Sequence, residues 1–254
     1  MYPVLIKIGP FTLYTYGLLV ATGMLVAIAY SYYRSKKEGM DGEVVLDLCF
    51  WVVVGAIAGS RVLYIVVNYR DFLGSPLDIF KIWKGGLVFY GGFIGAVVFG
   101  IWYTSKHKMP VWKTADLLAP GVALGHSIGR WGCLASGSCF GRPTESWMGI
   151  TFLNPLAIAP LGVKLFPTQI FDSINELTIF FILITVRPYK KFDGQIVLMW
   201  AMLYAAGRFV IEFYRGDPQR GYIIPGTLST SQGIAAAVFI VSLFLLLRFL
   251  RKAK

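Results

Sequence analysis

Charged residues are scarce in this chain. Only 15% of its 254 residues are Asp, Glu, Lys or Arg, whereas 56% are hydrophobic. A soluble domain carries about 25% charged residues, so the composition excludes an ordinary soluble globule. Repeats with a period of 20–50 residues and low-complexity tracts are also lacking, which argues against repeat architectures.

Histidine and cysteine are rare as well, with two and three residues respectively. No His, Asp and Glu cluster has metal-ligand spacing, and Cys133 and Cys139 alone are too few ligands for a zinc site. We therefore expect neither a metal nor another cofactor. The two cysteines either form a disulfide in an oxidising compartment or pack as free thiols against their glycine neighbours.

Long apolar runs dominate what is present. Uninterrupted runs near 20 residues exclude a buried α/β core and indicate membrane-spanning helices. The first run is too long for a signal peptide and lacks a basic leader, so we expect it to be retained. The sequence thus predicts an all-α polytopic membrane protein, a single domain over residues 1–254 with seven transmembrane helices. The runs lie at roughly 11–33, 44–67, 87–105, 114–131, 168–186, 195–214 and 228–247.

The longest connector between predicted spans is residues 133–167, between spans four and five. It contains Gly, Pro and alternating apolar residues such as Met148 to Phe152. We expect this segment to form a small outer, periplasmic cap.

Basic residues cluster at alternate ends of the predicted spans, which is the distribution of the positive-inside rule. It predicts that the N-terminus is outside and the C-terminus is in the cytoplasm. The net charge of +11 therefore serves to orient the chain in the membrane, and we do not expect it to bind nucleic acid. The thirteen residues are Arg34, Lys36, Lys37, Lys106, Lys108, Lys113, Arg187, Lys190, Lys191, Arg248, Arg251, Lys252 and Lys254.

The stretch from Gly125 to Thr144, GHSIGRWGCLASGSCFGRPT, combines glycines with His126 and Arg130 at the end of an apolar run. An arginine at membrane depth is costly and usually faces a polar cavity or an anionic partner. Glycines permit close approach of backbones and non-helical turns beside a site. The stretch therefore predicts a buried anion site near the edge of the bilayer.

A second polar group ends the sixth run. Tyr204, Arg208, Glu212 and Arg215 are spaced by four, four and three residues, which puts them on one helical face. One interpretation is an ion-paired stripe in which Glu212 neutralises an arginine. The other is a phosphate site, because two arginines against one carboxylate leave positive charge and a guanidinium matches two phosphate oxygens.

Several of these motifs together resemble the bacterial prolipoprotein diacylglyceryl transferases. The matching segments, in order, are YTYGL from Tyr14, GGLVFYGG from Gly85, GRWG from Gly129, FPTQIFD from Phe166 and the Tyr204 to Arg215 group. The resemblance covers nearly the whole chain. It implies a multi-pass protein of the bacterial cytoplasmic membrane that works with membrane lipid.

The implied reaction transfers the diacylglyceryl unit of phosphatidylglycerol to the lipobox cysteine thiol of a prolipoprotein signal peptide, releasing glycerol phosphate. Arg130 and Arg208 are expected to bind the phosphate. The resemblance also implies substrate contacts from Tyr16, Gln169 and, secondarily, Arg61. Further expected substrate contacts come from the remainder of the sixth-run group, which comprises Tyr204, Glu212 and Arg215.

This chain departs from the family pattern where the family carries polar groups. Tyr90 stands where a histidine that activates the thiol is common, Cys133 replaces an asparagine, Ser138 a glutamate and Phe166 a histidine. His126 is the histidine that remains near the predicted site. We therefore expect His126, helped by Tyr90, to act as the base, the alternative being an interior histidine bonded to a backbone carbonyl.

Two other functions stay open at this point. One is a related phospholipid-dependent transferase with a different acceptor, which the missing family histidines would fit. The other is a non-enzymatic lipid transporter, a hypothesis that predicts internal repeats and paired broken spans.

The Gly55 and Gly59 pair before Arg61 is typical of close helix packing rather than chemistry.

Overall fold

The computed structural model describes residues 2–9, 11–72, 76–81, 85–86, 88–217, 221–224 and 227–253. Leu87 of the GGLVFYGG motif and Lys254 of the basic set lie outside these ranges. The chain divides into two compact units, one formed by residues 1–30 and 115–254 and the other by residues 31–114. Each unit is described separately below.

The described residues are mostly helical, as predicted. Their seven α-helices are α1 (Thr15–Lys37), α2 (Gly42–Val67), α3 (Phe89–Lys106), α4 (Val111–Ser136), α5 (Thr168–Val186), α6 (Gln195–Glu212) and α7 (Thr230–Lys252). Five of these, α1, α2, α5 (which continues through a short 3₁₀ turn), α6 and α7, are long and apolar enough to cross a membrane. α3 and α4 fall outside that set, and α4 carries buried polar residues.

Short antiparallel strand pairs accompany the helices, and polar side chains fix several helix starts. The buried carboxylate of Asp116 on α4 accepts hydrogen bonds from the backbone N–H groups of Gly194 and Val197 at the start of α6. Ser229 and Gln232 form a capping box on α7. The strands are β1 (Val4–Ile8) with β2 (Phe11–Tyr14), β3 (Ile150–Thr151) with β4 (Lys164–Leu165), and β5 (Tyr222–Ile224) with β6 (Leu228–Ser229).

In the unit of residues 31–114, α2 and α3 pack with their backbones nearly touching. A Cβ on Gly59 would lie 2.3 Å from the Gly91 carbonyl oxygen, and one on Gly95 would lie 2.1 Å from the Gly55 carbonyl oxygen. Such separations leave no room for a side chain. The prediction that Gly55 and Gly59 serve helix packing is confirmed.

In the other unit, α1 meets α4 at a similar glycine crossing. A Cβ on Gly125 would lie 2.5 Å from the Gly23 carbonyl oxygen. Towards one end of this unit, α4, α5 and α6 enclose an apolar cluster of Ala119, Ala123, Ile179, Leu183 and Ile196. The apolar cluster anchors the three helices that carry the polar residues described next.

The connector between α4 and α5 has its own small core, formed by Leu134, Phe140, Phe152, Ala159 and Leu165. It begins later than predicted, because α4 continues to Ser136 and the non-helical segment is residues 137–167. The glycines of GHSIGRWG stay helical, and Gly125 and Gly132 allow the close approach of α1 that the sequence indicated, whereas the non-helical turns begin only after Ser136. Left-handed backbone begins only at Gly137 and Cys139.

Candidate active site

Polar side chains form successive cross-links between α4 and α5. Residues later on α4 pair with residues earlier on α5, so the two helices run antiparallel along this seam. The uncharged link is double, since the Ser127 and Ser173 hydroxyls each donate to the other residue's carbonyl oxygen at 2.9 Å. The three links are His126 with Glu176, Ser127 with Ser173, and Arg130 with Asp172.

His126 is bonded to a carboxylate. Its Nδ1 lies 2.7 Å from Oε1 of Glu176, whose side chain is only 1% exposed, against 30% for the imidazole. The imidazole ring centroid lies 5.7 Å from that of Tyr204 on α6. The alternative of a backbone carbonyl partner for this histidine was therefore wrong.

Arg130 lies one helical turn after His126 on the continuous helix α4. Its Nε is 3.4 Å from Oδ2 of Asp172, and the two side chains are 12% and 5% exposed. The alignment is too poor for a hydrogen bond, and the Nε proton is buried without a hydrogen-bond acceptor among the described residues. The guanidinium is thus anchored by charge, through Nε, beside Asp172.

Arg208 on α6 is held in a similar way. Its Nη2 lies 2.5 Å from Oε2 of Glu212, one turn later, and 3.4 Å from the Ser231 hydroxyl on α7. Nη1 is buried and has no acceptor in the described part of the chain. The predicted pairing of Glu212 with an arginine is confirmed. Tyr204, one turn before Arg208, stacks on Trp200 with ring centroids 5.9 Å apart.

Arg215 does not share this helical face, contrary to the prediction, because α6 ends at Glu212. It pairs instead with the carboxylate of Asp217 through Nε at 2.8 Å and through Nη2, and its backbone bridges to Gly141. Burial disfavours its charge, but the Asp217 contact outweighs this and raises the pKa of Arg215. Arg215 therefore fastens the α6 end to the connector.

Two further predicted residues lie at the α4 end of this unit. The Tyr16 hydroxyl on α1 is within electrostatic range of Arg130 and Cys133. Gln169, 1% exposed, donates from Nε2 to the Ser138 carbonyl oxygen at 2.7 Å, while its Oε1 is buried without a donor among the described residues. Both therefore border the turn that follows α4.

Cys133 and Cys139 are free thiols, not a disulfide. A hydrogen bond from Cys133, opposed by burial and supported by the charges of Arg215 and Arg130, lowers the pKa of the Cys139 thiol. Cys139 has left-handed backbone with φ 55°, and its carbonyl oxygen accepts from the Thr168 hydroxyl at 2.7 Å. The lowered pKa favours the thiolate form of Cys139, whose charge would lie within electrostatic range of Arg130.

Arg61 and Tyr90 belong to the other unit. The Arg61 guanidinium is buried and donates to the carbonyl oxygens of Asp78, Ile79 and Gly85 at 2.5–2.8 Å. All three guanidinium nitrogens thus donate to backbone carbonyl oxygens, which is a structural role. Substrate binding by Arg61 stays a prediction. Tyr90 lies in the first turn of α3 and is 45% exposed.

The charge of the α4–α6 cluster differs from the sequence expectation. Two arginines face three carboxylates, because Asp172 and Glu176 join Glu212. We missed the two α5 carboxylates, although they lie four residues apart in an apolar run, the same spacing as His126 and Arg130 on the preceding run. Ionisable residues within a predicted span are a functional signal by themselves.

Comparison with known proteins gives a consistent result. A family model described as prolipoprotein diacylglyceryl transferase matches residues 3–248. A phosphatidylglycerol–prolipoprotein diacylglyceryl transferase of Clostridium tetani is 35% identical over 244 residues, covering 96% of each chain. A relative with the same name from Trichormus variabilis is 34% identical over 85% of this chain and 79% of its own. A Clostridium perfringens protein, named as transferase 2, is 35% identical over 92% and 90%.

Proposed function

The chain belongs to the prolipoprotein diacylglyceryl transferase family, and from this premise we propose that its α4–α6 cluster carries out the transfer. The protein is a transferase that moves the diacylglyceryl group of phosphatidylglycerol to a prolipoprotein, as the names of its relatives indicate. The acceptor atom is the lipobox cysteine thiol of the signal peptide, and glycerol phosphate leaves. Nucleic acid has no part in this function.

The observation that carries the proposal is the pair of nearly buried guanidiniums of Arg130 and Arg208, each held by a carboxylate through one nitrogen, Nε of Arg130 and Nη2 of Arg208. The other N–H groups of each arginine are left to donate to a ligand, and Arg208 Nη1 has no acceptor among the described residues. A phosphate ester is the ligand that matches a guanidinium fork and gains most from it in a low-dielectric site. Both guanidiniums would stabilise the charge that develops on the leaving phosphate.

The thiol must lose its proton, since the thiolate is the nucleophile. We assign this step to His126, because imidazole titrates near neutral pH and general bases of this kind contribute about 10²–10⁴ in rate. Its partial exposure, 30% of the side chain, leaves the ring accessible. Help from Tyr90 to this base stays a prediction from the sequence. Tyr16, Tyr204, Gln169 and Glu212 line the site, and Arg215 fastens the end of α6 to the connector. Substrate binding by Arg61 stays a prediction from the sequence.

We further propose seven spans, including α3 and α4, in a bacterial cytoplasmic membrane. The N-terminus is outside and the C-terminus is cytoplasmic, as the basic ends of α1 and α7 require under the positive-inside rule. This orientation puts the 137–167 connector on the outer side, as a cap over the site. The donor lipid then enters from the bilayer, and the signal peptide approaches from the same leaflet.

Arginine-to-lysine variants test the phosphate assignment. Lysine keeps the charge but loses the fork, so Arg130→Lys and Arg208→Lys should each lower the rate by about 10²–10³, the usual cost of a donor aimed at developing charge. The measurement is thioether formation on a lipobox peptide in phosphatidylglycerol micelles, followed by mass spectrometry. Arg251→Lys, at the exposed end of α7, is the matched control. Full activity of both test variants would mean that these arginines only pair with carboxylates.

A further inference from the structure

Glu176 is a buried carboxylate that the reaction outlined above leaves without a task. Its side chain is 1% exposed, and Oε1 is 2.7 Å from Nδ1 of His126. Its second oxygen, Oε2, is buried and has no hydrogen-bond donor in the described residues. An ionised carboxylate in such a place is costly unless it is paired. The only partner that the described contacts give it is the imidazole.

This contact decides which ring nitrogen of His126 carries the proton. An ionised carboxylate can only accept, so Nδ1 must be the donor, and the lone pair of the neutral ring is then on Nε2. A histidine held in this way is fixed in tautomer and in orientation. The same arrangement orients the imidazole in the Ser-His-Asp triad.

The other charged and titratable groups around this pair come from four helices. Two positive and two negative charges pair with one another, Arg130 with Asp172 and Arg208 with Glu212. Among the described residues, Glu176 is therefore the group available to balance a proton on His126. The neighbouring groups are Arg130 on α4, Asp172 on α5, Tyr204, Arg208 and Glu212 on α6, and Tyr16 of α1, which is in range of Arg130.

We propose that Glu176 is the positioning residue of the thiol-activating base, a conclusion that rests on the assignment of His126 made above. Glu176 holds Nδ1–H, and Nε2 takes the proton of the acceptor thiol, which gives an imidazolium balanced by the Glu176 carboxylate. The thiolate then forms a C–S bond with the diacylglyceryl carbon. The C–O bond to the phosphate breaks at the same carbon and its electron pair leaves with glycerol phosphate. The proton of His126 passes afterwards to the released phosphate or to water.

The test compares Glu176→Gln with Glu176→Asp in the full-length protein in phosphatidylglycerol micelles. Glutamine keeps the size but loses the charge, so we expect kcat to fall about 10²-fold, within the contribution of a general base. KM for phosphatidylglycerol should stay within twofold, because no contact to the lipid is lost. Aspartate should restore part of kcat.

A double variant separates positioning from general structural support. If Glu176 acts through His126, adding Glu176→Gln to His126→Gln should cause no further loss. An equal loss in both backgrounds, or a rise in KM in place of the fall in kcat, overturns the proposal while leaving His126 as the base. Wild-type rates in His126→Gln overturn the base assignment itself and this proposal with it. A thermal melt of each variant identifies any that fails to fold, in which case the aspartate variant decides.

Discussion

The pairing of Arg130 with Asp172 makes a prediction that separates a binding site from a structural ion pair. The two side chains are 12% and 5% exposed, so Asp172→Asn leaves a nearly buried guanidinium without its counter-ion. Removing one partner of a buried pair typically costs about 3–5 kcal/mol. For a chain of this length that corresponds to a fall of roughly 6–20 °C in the unfolding temperature.

An anionic donor lipid should partly replace the lost carboxylate. If the phosphate binds Arg130, it will bind the asparagine variant more tightly, and a ligand stabilises the folded state by RT ln(1 + [L]/Kd). The stabilisation by phosphatidylglycerol should therefore be larger in Asp172→Asn than in the unchanged protein. Micelles that contain only zwitterionic phosphatidylcholine should give no such gain.

The assay is thermal unfolding of the detergent-solubilised protein at a series of phosphatidylglycerol fractions. Asp193→Asn is the matched control, because its carboxylate is 52% exposed and pairs with Lys190 near the surface, where such pairs contribute about 0–1 kcal/mol. Equal stabilisation of Asp172→Asn and the unchanged protein by phosphatidylglycerol would refute phosphate binding at Arg130. An unchanged unfolding temperature for Asp172→Asn would refute the buried pair itself.

Three further predictions concern the surroundings of the site. The alkylation rate of Cys139 should reach half its maximum well below about pH 8.5, the ordinary thiol value, because the lowered pKa favours the thiolate. Peptide mass spectrometry at a series of pH values measures this rate, and a half-point at about pH 8.5 would contradict the prediction. Gly125→Ala should cost about 1–3 kcal/mol of stability, because its Cβ would meet an α1 carbonyl oxygen at 2.5 Å. Gly129→Ala, whose nearest contact is at 4.0 Å, should cost nothing in the same thermal melt, and equal losses would argue against the crossing. In a chain whose native cysteines have been replaced, an impermeant thiol reagent applied from outside should label Ser146→Cys and spare Gly39→Cys, and the reverse pattern would invert the topology.

Apolar run length was enough to locate the helices to within a few residues. The predicted span at 44–67 corresponds to Gly42–Val67, and that at 228–247 to Thr230–Lys252. The fourth helix was underestimated, because it continues past its apolar part from the predicted end at 131 to Ser136. Hydropathy detects where side chains match lipid, whereas a helix continues as long as its backbone hydrogen bonds and caps allow.

The site was only half visible in the sequence. Spacing on one helix identifies neighbours such as Arg208 and Glu212, because residues four apart always meet. It cannot identify partners on another helix, since these depend on the register between the two. The links from His126 to Glu176 and from Arg130 to Asp172 exist only because α4 and α5 pack antiparallel in one particular register.

In our proposal, that register also lets His126 act as the base in a chain that has tyrosine at position 90. A histidine within a span is useful as a base only if a fixed acceptor selects its tautomer and balances its charge, and α5 supplies one at the matching level. The same helix supplies the counter-ion that holds Arg130 one turn away. In this proposal the base His126 and the phosphate-binding Arg130 are positioned by two carboxylates of a single helix, so a shift of α5 by one turn would disable both at once. We therefore regard α5, rather than the signature segment alone, as the element that determines the chemistry of this site.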